Sequence, residues 1–424
     1  MIMRGIAVLL ASTAIGAGAI GAAVKMAPTA ATTVTFSDDH DWEHSRPGPD
    51  SGRVAILIDA LGRTDPVVCE LIADQLGNFW MGGNRDGVGR LAAAPMTVQV
   101  AKDSIGGTIT DQRAINRLVA ELDGANACTR RVASKLLGES AITSARLNAL
   151  LSDPSANVRE SAALAAGNGE HRDAVPALQR ALDDRSPAVV AMAAWALGEI
   201  EDKRSVPALL KLVRAGDPRV RLSAIWAVGQ LEDARAVPDI IVTLRDPNPA
   251  IRAMSADVLG DLEKTDAIGP LERVLGSDTD ARVRAEAASS LGQIQSPSSA
   301  PALGRALSDA DIKVRRAAAE ALGDLDELRV APSGLVAALS ANDPELRYRA
   351  AKALAEIADP STTPAIVGML SNTDAELRKT AVEALGKIGT PAAVQALTNA
   401  LTDRDAEVRK AAAEALGDIN DHEG

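Results

Sequence analysis

The chain has four histidines in 424 residues, and two of them fall in His40-Asp41-Trp42-Glu43-His44. The spelling H-x-x-E-H can bring two imidazoles and a carboxylate base to one zinc ion on a helix. That chemistry needs a helix inside a catalytic domain and a further ligand. Here the five residues sit in an acidic stretch rich in Pro, Ser and Asp, so they carry no proteolytic assignment. His171 lies in a short turn between helical segments, 167–173, and reads as a surface residue rather than the base of a Ser-His-Asp set. The two cysteines, Cys69 and Cys128, permit one disulfide in an oxidising compartment; two small buried thiols are the alternative. There is no Gly-rich phosphate loop. No catalytic residue, metal ligand or cofactor site is assigned.

With little chemistry on offer, the elements themselves carry the argument. The chain is 46% hydrophobic but only 2% aromatic, which favours tightly spaced helices over a large mixed core. A net charge of −12 without any basic run excludes nucleic acid as the main ligand. At the N-terminus, Met1-Ile2-Met3-Arg4 precedes an uncharged stretch from Gly5 to Val24. Residues 1–25 therefore read as an export signal, either cleaved after small residues or retained as a membrane anchor. Neither cysteine is close enough for a lipoprotein anchor. The remainder is expected outside the cytoplasm: periplasmic, extracellular, or anchored and facing outward. Residues 26–52 read as a linker.

Self-similarity sets the frame. Ala166-Gly167, Leu197-Gly198, Val228-Gly229, Leu259-Gly260, Leu291-Gly292, Leu322-Gly323, Leu354-Ala355, Leu385-Gly386 and Leu416-Gly417 recur every 31 residues, twice every 32. Twelve positions before each stands a helix-capping type: Ser155, Ser186, Asp217, Asn248, Asp280, Asp311, Asp343, Asp374 and Asp405. Their side-chain oxygens can accept the free N–H groups of a helix start, and the Gly is expected to close the same helix as a left-handed cap. A proline nine or ten residues later, from Pro176 to Pro364, opens a second amphipathic helix in most units. Two helices per unit with short turns stack as an α-solenoid.

Asp-Pro-Arg-Val-Arg-Leu-Ser-Ala (217–224) and Asp-Ala-Glu-Val-Arg-Lys-Ala-Ala (405–412), each followed by a hydrophobic-Gly step, resemble the HEAT-like repeat of phycobilin lyases. The resemblance covers nine regular units at 155–424. It reaches more weakly to two degenerate units within 53–154, at Asp65–Gly77 and Asn126–Gly138, for about eleven in all. It implies an all-α right-handed superhelix. Between the degenerate units lies an insert at 78–112 with Phe79, Trp80 and many glycines, a long unpatterned stretch of the kind that is functional or disordered. Deoxyhypusine hydroxylases use the same repeat to hold two irons through several His-Glu pairs. This chain has one such dipeptide, His422-Glu423, so the ligand set is incomplete. A bilin pocket has no marker either.

The position eight before the Gly is Arg159, Arg221, Arg252, Arg284, Arg315, Arg347, Arg378 and Arg409. A cation in a first turn opposes the helix dipole. The HEAT resemblance implies that each pairs with the capping Asp of a neighbouring unit, forming a structural ladder that Val190 and Cys69 interrupt. On a helical wheel, the positions seven and three before the Gly point away from the core, onto what the resemblance makes the concave surface. The C-terminal units place charged pairs there. The N-terminal units place Leu164, Trp195, Leu222 and Trp226. Three readings stay open for these four: an exposed protein-binding patch, a patch covered by the chain's own 26–52 or 78–112, or core packing. The function expected is an extracytoplasmic, monomeric scaffold that binds a protein or peptide, touching membrane only through an uncleaved N-terminus. The alternatives are a HEAT-fold enzyme and a sensor domain of a membrane signalling or peptidase system.

Overall fold

A computed structural model describes residues 51–61 and 108–423. The N-terminal segment, His40, His44, Cys69 and residues 78–107 lie outside the described residues. Those described hold helices and no strand. In chain order they are α1 (Ser51–Leu61), α2 (Gln112–Glu121), α3 (Ala127–Gly138), α4 (Ser144–Leu150), α5 (Ala156–Asn168), α6 (Val175–Ala181) and α7 (Pro187–Glu199). There follow α8 (Val206–Leu212), α9 (Pro218–Gln230), α10 (Val237–Thr243), α11 (Pro249–Asp261), α12 (Ile268–Ser277), α13 (Ala281–Gln293) and α14 (Ala300–Ala306). The last are α15 (Ile312–Asp324), α16 (Ser333–Ala338), α17 (Pro344–Ile357), α18 (Thr363–Met369), α19 (Ala375–Ile388), α20 (Pro391–Ala400) and α21 (Ala406–Glu423). From α2 onward, even-numbered helices open units and odd-numbered helices close them. The fold is an α-solenoid.

The capping residues start the odd-numbered helices where the repeat puts them. Asp217, Asn248, Asp280, Asp311, Asp343 and Asp374 accept backbone N–H groups of their own first turns, as does Asp405. Ser155 and Ser186 occupy the cap without accepting such a bond; the Ser155 hydroxyl donates to Asp123 instead.

The glycines do a different job from the one expected. The helices run on past them, and the left-handed residues come three or four positions later: Glu170, Glu201, Glu232, Glu263, Gln295, Glu327, Ala358 and Gly389. The repeated Gly permits close approach. A Cβ on Gly198 would lie 2.9 Å from Ala227 Cα, and one on Gly292 would lie 2.9 Å from Ala321 Cα. Consecutive odd-numbered helices thus touch almost backbone to backbone, and far more extensively than consecutive even-numbered ones. The HEAT resemblance makes the odd-numbered helices the inner, concave face of the stack.

The arginines lock unit to unit, with a correction to their partner. Arg159 pairs with Asp184 at 2.6 Å, Arg221 with Asp246 at 2.8 Å, Arg252 with Asp278 at 2.7 Å, Arg284 with Asp309 at 2.8 Å and Arg378 with Asp403 at 2.8 Å. None of these carboxylates is the capping residue. Each stands two positions before the next unit's cap and also accepts that cap's N–H, as Asp184 does from Ser186. The arginine's other edge donates to carbonyls of the preceding turn, Asp153 and Pro154 in the case of Arg159. Arg315, Arg347 and Arg409 make only this carbonyl contact, because Ala341 and Asn372 stand where the Asp would for the first two. Arg130, absent from the ladder read off the sequence although it stands eight before Gly138, clamps the carbonyls of Gly124 and Ala125 in the same way. Where Val190 replaces the Arg, Ala215 replaces its Asp, and the two pack together with Ala191, Val220 and Leu212. The ion pair has been exchanged whole for an apolar contact.

Candidate protein-binding face

Along the inner face, the places three before each repeated Gly are Leu164, Trp195, Trp226, Asp257, Ser289, Glu320, Lys352, Glu383 and Glu414. From Ser289 onward these side chains are exposed, and Lys410 faces Glu414 across one turn at 3.7 Å.

The N-terminal part, for which the sequence leaves an exposed patch, a covered patch and core packing all open, is buried or half-buried. Leu164 is 5% exposed and Trp195 4%, and Leu222 and Trp226 are half-buried against the core. Helical side chains lean toward the N-terminus and over the neighbouring helix, and the glycines leave room for them. A Cβ on Gly167 would come within 2.6 Å of the Trp195 ring, and one on Gly198 within 2.8 Å of the Trp226 ring. The two indoles stack with centroids 6.3 Å apart and planes 21° from parallel. They fill the space between units, and only the Trp226 edge and Leu222 remain open to a partner.

Beyond Trp226 the face becomes acidic. Asp257 on α11 and Glu286 on α13 lie close enough for each carboxyl to perturb the other. Burial, then the charge of Asp261, pushes Asp257 up to about 6. Burial, then Asp257 and Asp261, pushes Glu286 up to about 7. Asp261 is itself raised by desolvation and by Glu232. Among the described residues, none of the three carboxylates makes an ion pair. Both pair members titrate above ordinary carboxylates, so the stability they permit is full below about pH 4 and is lost as pH rises through their folded values. Asp257→Asn/Glu286→Gln should therefore raise stability at pH 8 by about 1–2 kcal/mol, allowing for solvent screening. Near pH 4.5 it should change little; urea unfolding at both values measures this.

His171, expected at the surface, is half-buried. Its Nε2 lies 3.0 Å from the Gly138 carbonyl of the preceding unit, which fixes the proton on that nitrogen and makes the ring a tie between units. Cys128 is in the first turn of α3, partly buried against the core. Among the described residues no group of three His, Cys, Asp or Glu is arranged to hold a metal, and no helix is long and apolar enough to cross a membrane.

Residues 143–217, 206–292, 275–333 and 332–417 match HEAT repeats. The chain belongs to the HEAT-repeat family. No curated protein matches it. Among solved structures, importin beta is similar at 15% identity and a TM-score of 0.57, over 87% of this chain. The chain spans 57% of that protein's length. An engineered protein is similar at 23% identity and a TM-score of 0.48, over 83% of this chain and 98% of the other. The likeness to importin beta supports a solenoid path for this HEAT protein.

Proposed function

We propose that this HEAT protein is an extracytoplasmic scaffold that holds a basic, partly apolar segment of a partner protein on its inner face. The observation that carries the reading is the cluster of Asp257, Asp261 and Glu286, without an ion pair among the described residues, beginning one unit on from the half-buried Trp226 and Leu222. Solenoids of this class use their extended inner surface for binding. A Lys or Arg brought to the acid cluster gains a charge-assisted hydrogen bond and relieves the repulsion among three carboxylates. An aliphatic neighbour covers Trp226. Binding is accordingly stronger at pH 8, where the pair is ionised, than at pH 5, where it holds a proton.

The uncharged stretch from Gly5 to Val24 supports export and an oxidising location, in which Cys69 and Cys128 pair. It also supports the second reading, a sensor domain of a membrane system, if the segment is retained. The 31-residue period supports the lyase-type HEAT repeat. Photo-crosslinking in the native host tests the scaffold reading. A crosslinker at Ser289, on the inner face, should capture a defined protein that one at Val242, on the outer side, does not. Equal capture from both places would refute it. Sequencing the mature N-terminus separates cleavage from anchoring.

A further inference from the structure

On the outer side of the stack, α10 and α12 flank a cleft of about 620 Å³. Val242, Pro270 and Val274 form apolar wall, and Arg245, Arg273 and Thr279 bring polar groups to the same space. The repeat explains why a cation is left over here. One unit earlier, Arg214 donates to Asp239 at 3.2 Å. Thirty-one residues on, the same two places hold Arg245 and Pro270. The proline removes the partner and leaves the guanidinium against the cleft. Arg273 stands where the preceding unit has Val242 and likewise makes no ion pair among the described residues. The two carboxylates in the wall do not compensate. Asp246 is held by Arg221 and by the N–H of Asn248. Asp278 is held by Arg252 and by the N–H of Asp280. In a chain with a net charge of −12, two exposed guanidinium groups without an ion pair among the described residues share one cleft with an apolar flank.

We propose that this cleft binds an oxyanion carried on a small apolar body. Arg245 and Arg273 grip the anionic oxygens, the Thr279 hydroxyl donates to them, and Val242, Pro270 and Val274 cover the apolar part. A carboxylate and a phosphate monoester share this chemistry, so the probes are hexanoate and hexyl phosphate, with inorganic phosphate as the form lacking an apolar body. Calorimetric titration of the full chain should show saturable binding of at least one hexyl probe, tighter than inorganic phosphate; the tighter head group identifies the ligand's anion. Arg245→Gln and Arg273→Gln should each weaken binding about 10-fold or more. Pro270→Asp rebuilds the Arg214–Asp239 arrangement one unit on, and should abolish binding while the fold melts no lower than the parent. Arg214→Gln should bind as the parent does. No saturable binding of either hexyl probe at millimolar concentration would overturn the proposal. So would unchanged binding by Pro270→Asp and Arg245→Gln, or an equal loss in Arg214→Gln.

Discussion

Arg159→Val should cost about 3 kcal/mol of stability, and the double variant Arg159→Val/Asp184→Ala should cost less than half as much. The Arg159 and Asp184 side chains are only 7% and 12% exposed. Removing the cation alone leaves a carboxylate with its charge uncompensated in the wall between units, and frees two carbonyls of the preceding turn. Removing both members reproduces what the chain itself does at Val190 and Ala215, where the same two places make an apolar contact. Urea unfolding of the parent, Arg159→Val, Asp184→Ala and the double variant measures the coupling as a double-mutant cycle. The effect depends on pH with a definite sign. The Arg159 hydrogen bond holds Asp184 below the usual carboxylate range, so the pair's contribution is present above about pH 4 and lost as pH falls through the lowered value. Once Asp184 is protonated, the single and double variants should converge. A double-variant loss equal to the sum of the two single losses at neutral pH would mean that the pair contributes no net interaction.

The second large effect is steric. Gly198→Ala should destabilise by about 2 kcal/mol, although alanine is the better helix former by about 1 kcal/mol. The added methyl meets Ala227 Cα at 2.9 Å and the Trp226 ring at 2.8 Å. The ring can shift, but the Ala227 backbone belongs to the next helix, and moving it opens the stack. Trp226→Leu in the same background should therefore recover only part of the loss. Gly368→Ala is the control, since a Cβ there has nothing within 4 Å; helix propensity alone should make it neutral or stabilising by about 0.5 kcal/mol. The opposite signs at two helical glycines, read from melting curves, distinguish close approach from conformational freedom.

What the sequence conveyed well was what recurs locally. Capping residues, first-turn prolines and the two-helix unit follow from short-range chemistry repeated in frame. What it hid depends on how one unit meets the next. Leu-Gly at a helix end looks the same whether the Gly turns the chain or admits a neighbouring helix; only the left-handed Glu three places later decides, and glutamate carries no such signal. The arginine's partner was misplaced by two residues because a capping Asp and an Asp two places before it suit a helix start equally well. That ambiguity is visible at Asp278 and Asp280, of which the first takes Arg252 and the second caps α13. The wheel put Trp195 on the correct face of α7 but said nothing of side-chain tilt, and tilt carried it over Gly167. Asp257 and Glu286 occupy different places in their units, three and six before the Gly, so reading the repeat in register never brings them together.

The acid pair offers the most direct test of the central claim, because replacing it should strengthen the fold while removing the proposed docking charge. The measurement is the yield of photo-crosslinked partner from Ser289 at pH 8, in the parent and in Asp257→Asn/Glu286→Gln. The account predicts a large fall in yield in a variant that unfolds at higher urea concentration than the parent. An unchanged yield from the more stable variant would contradict it and would remove the inner acidic segment from the binding surface.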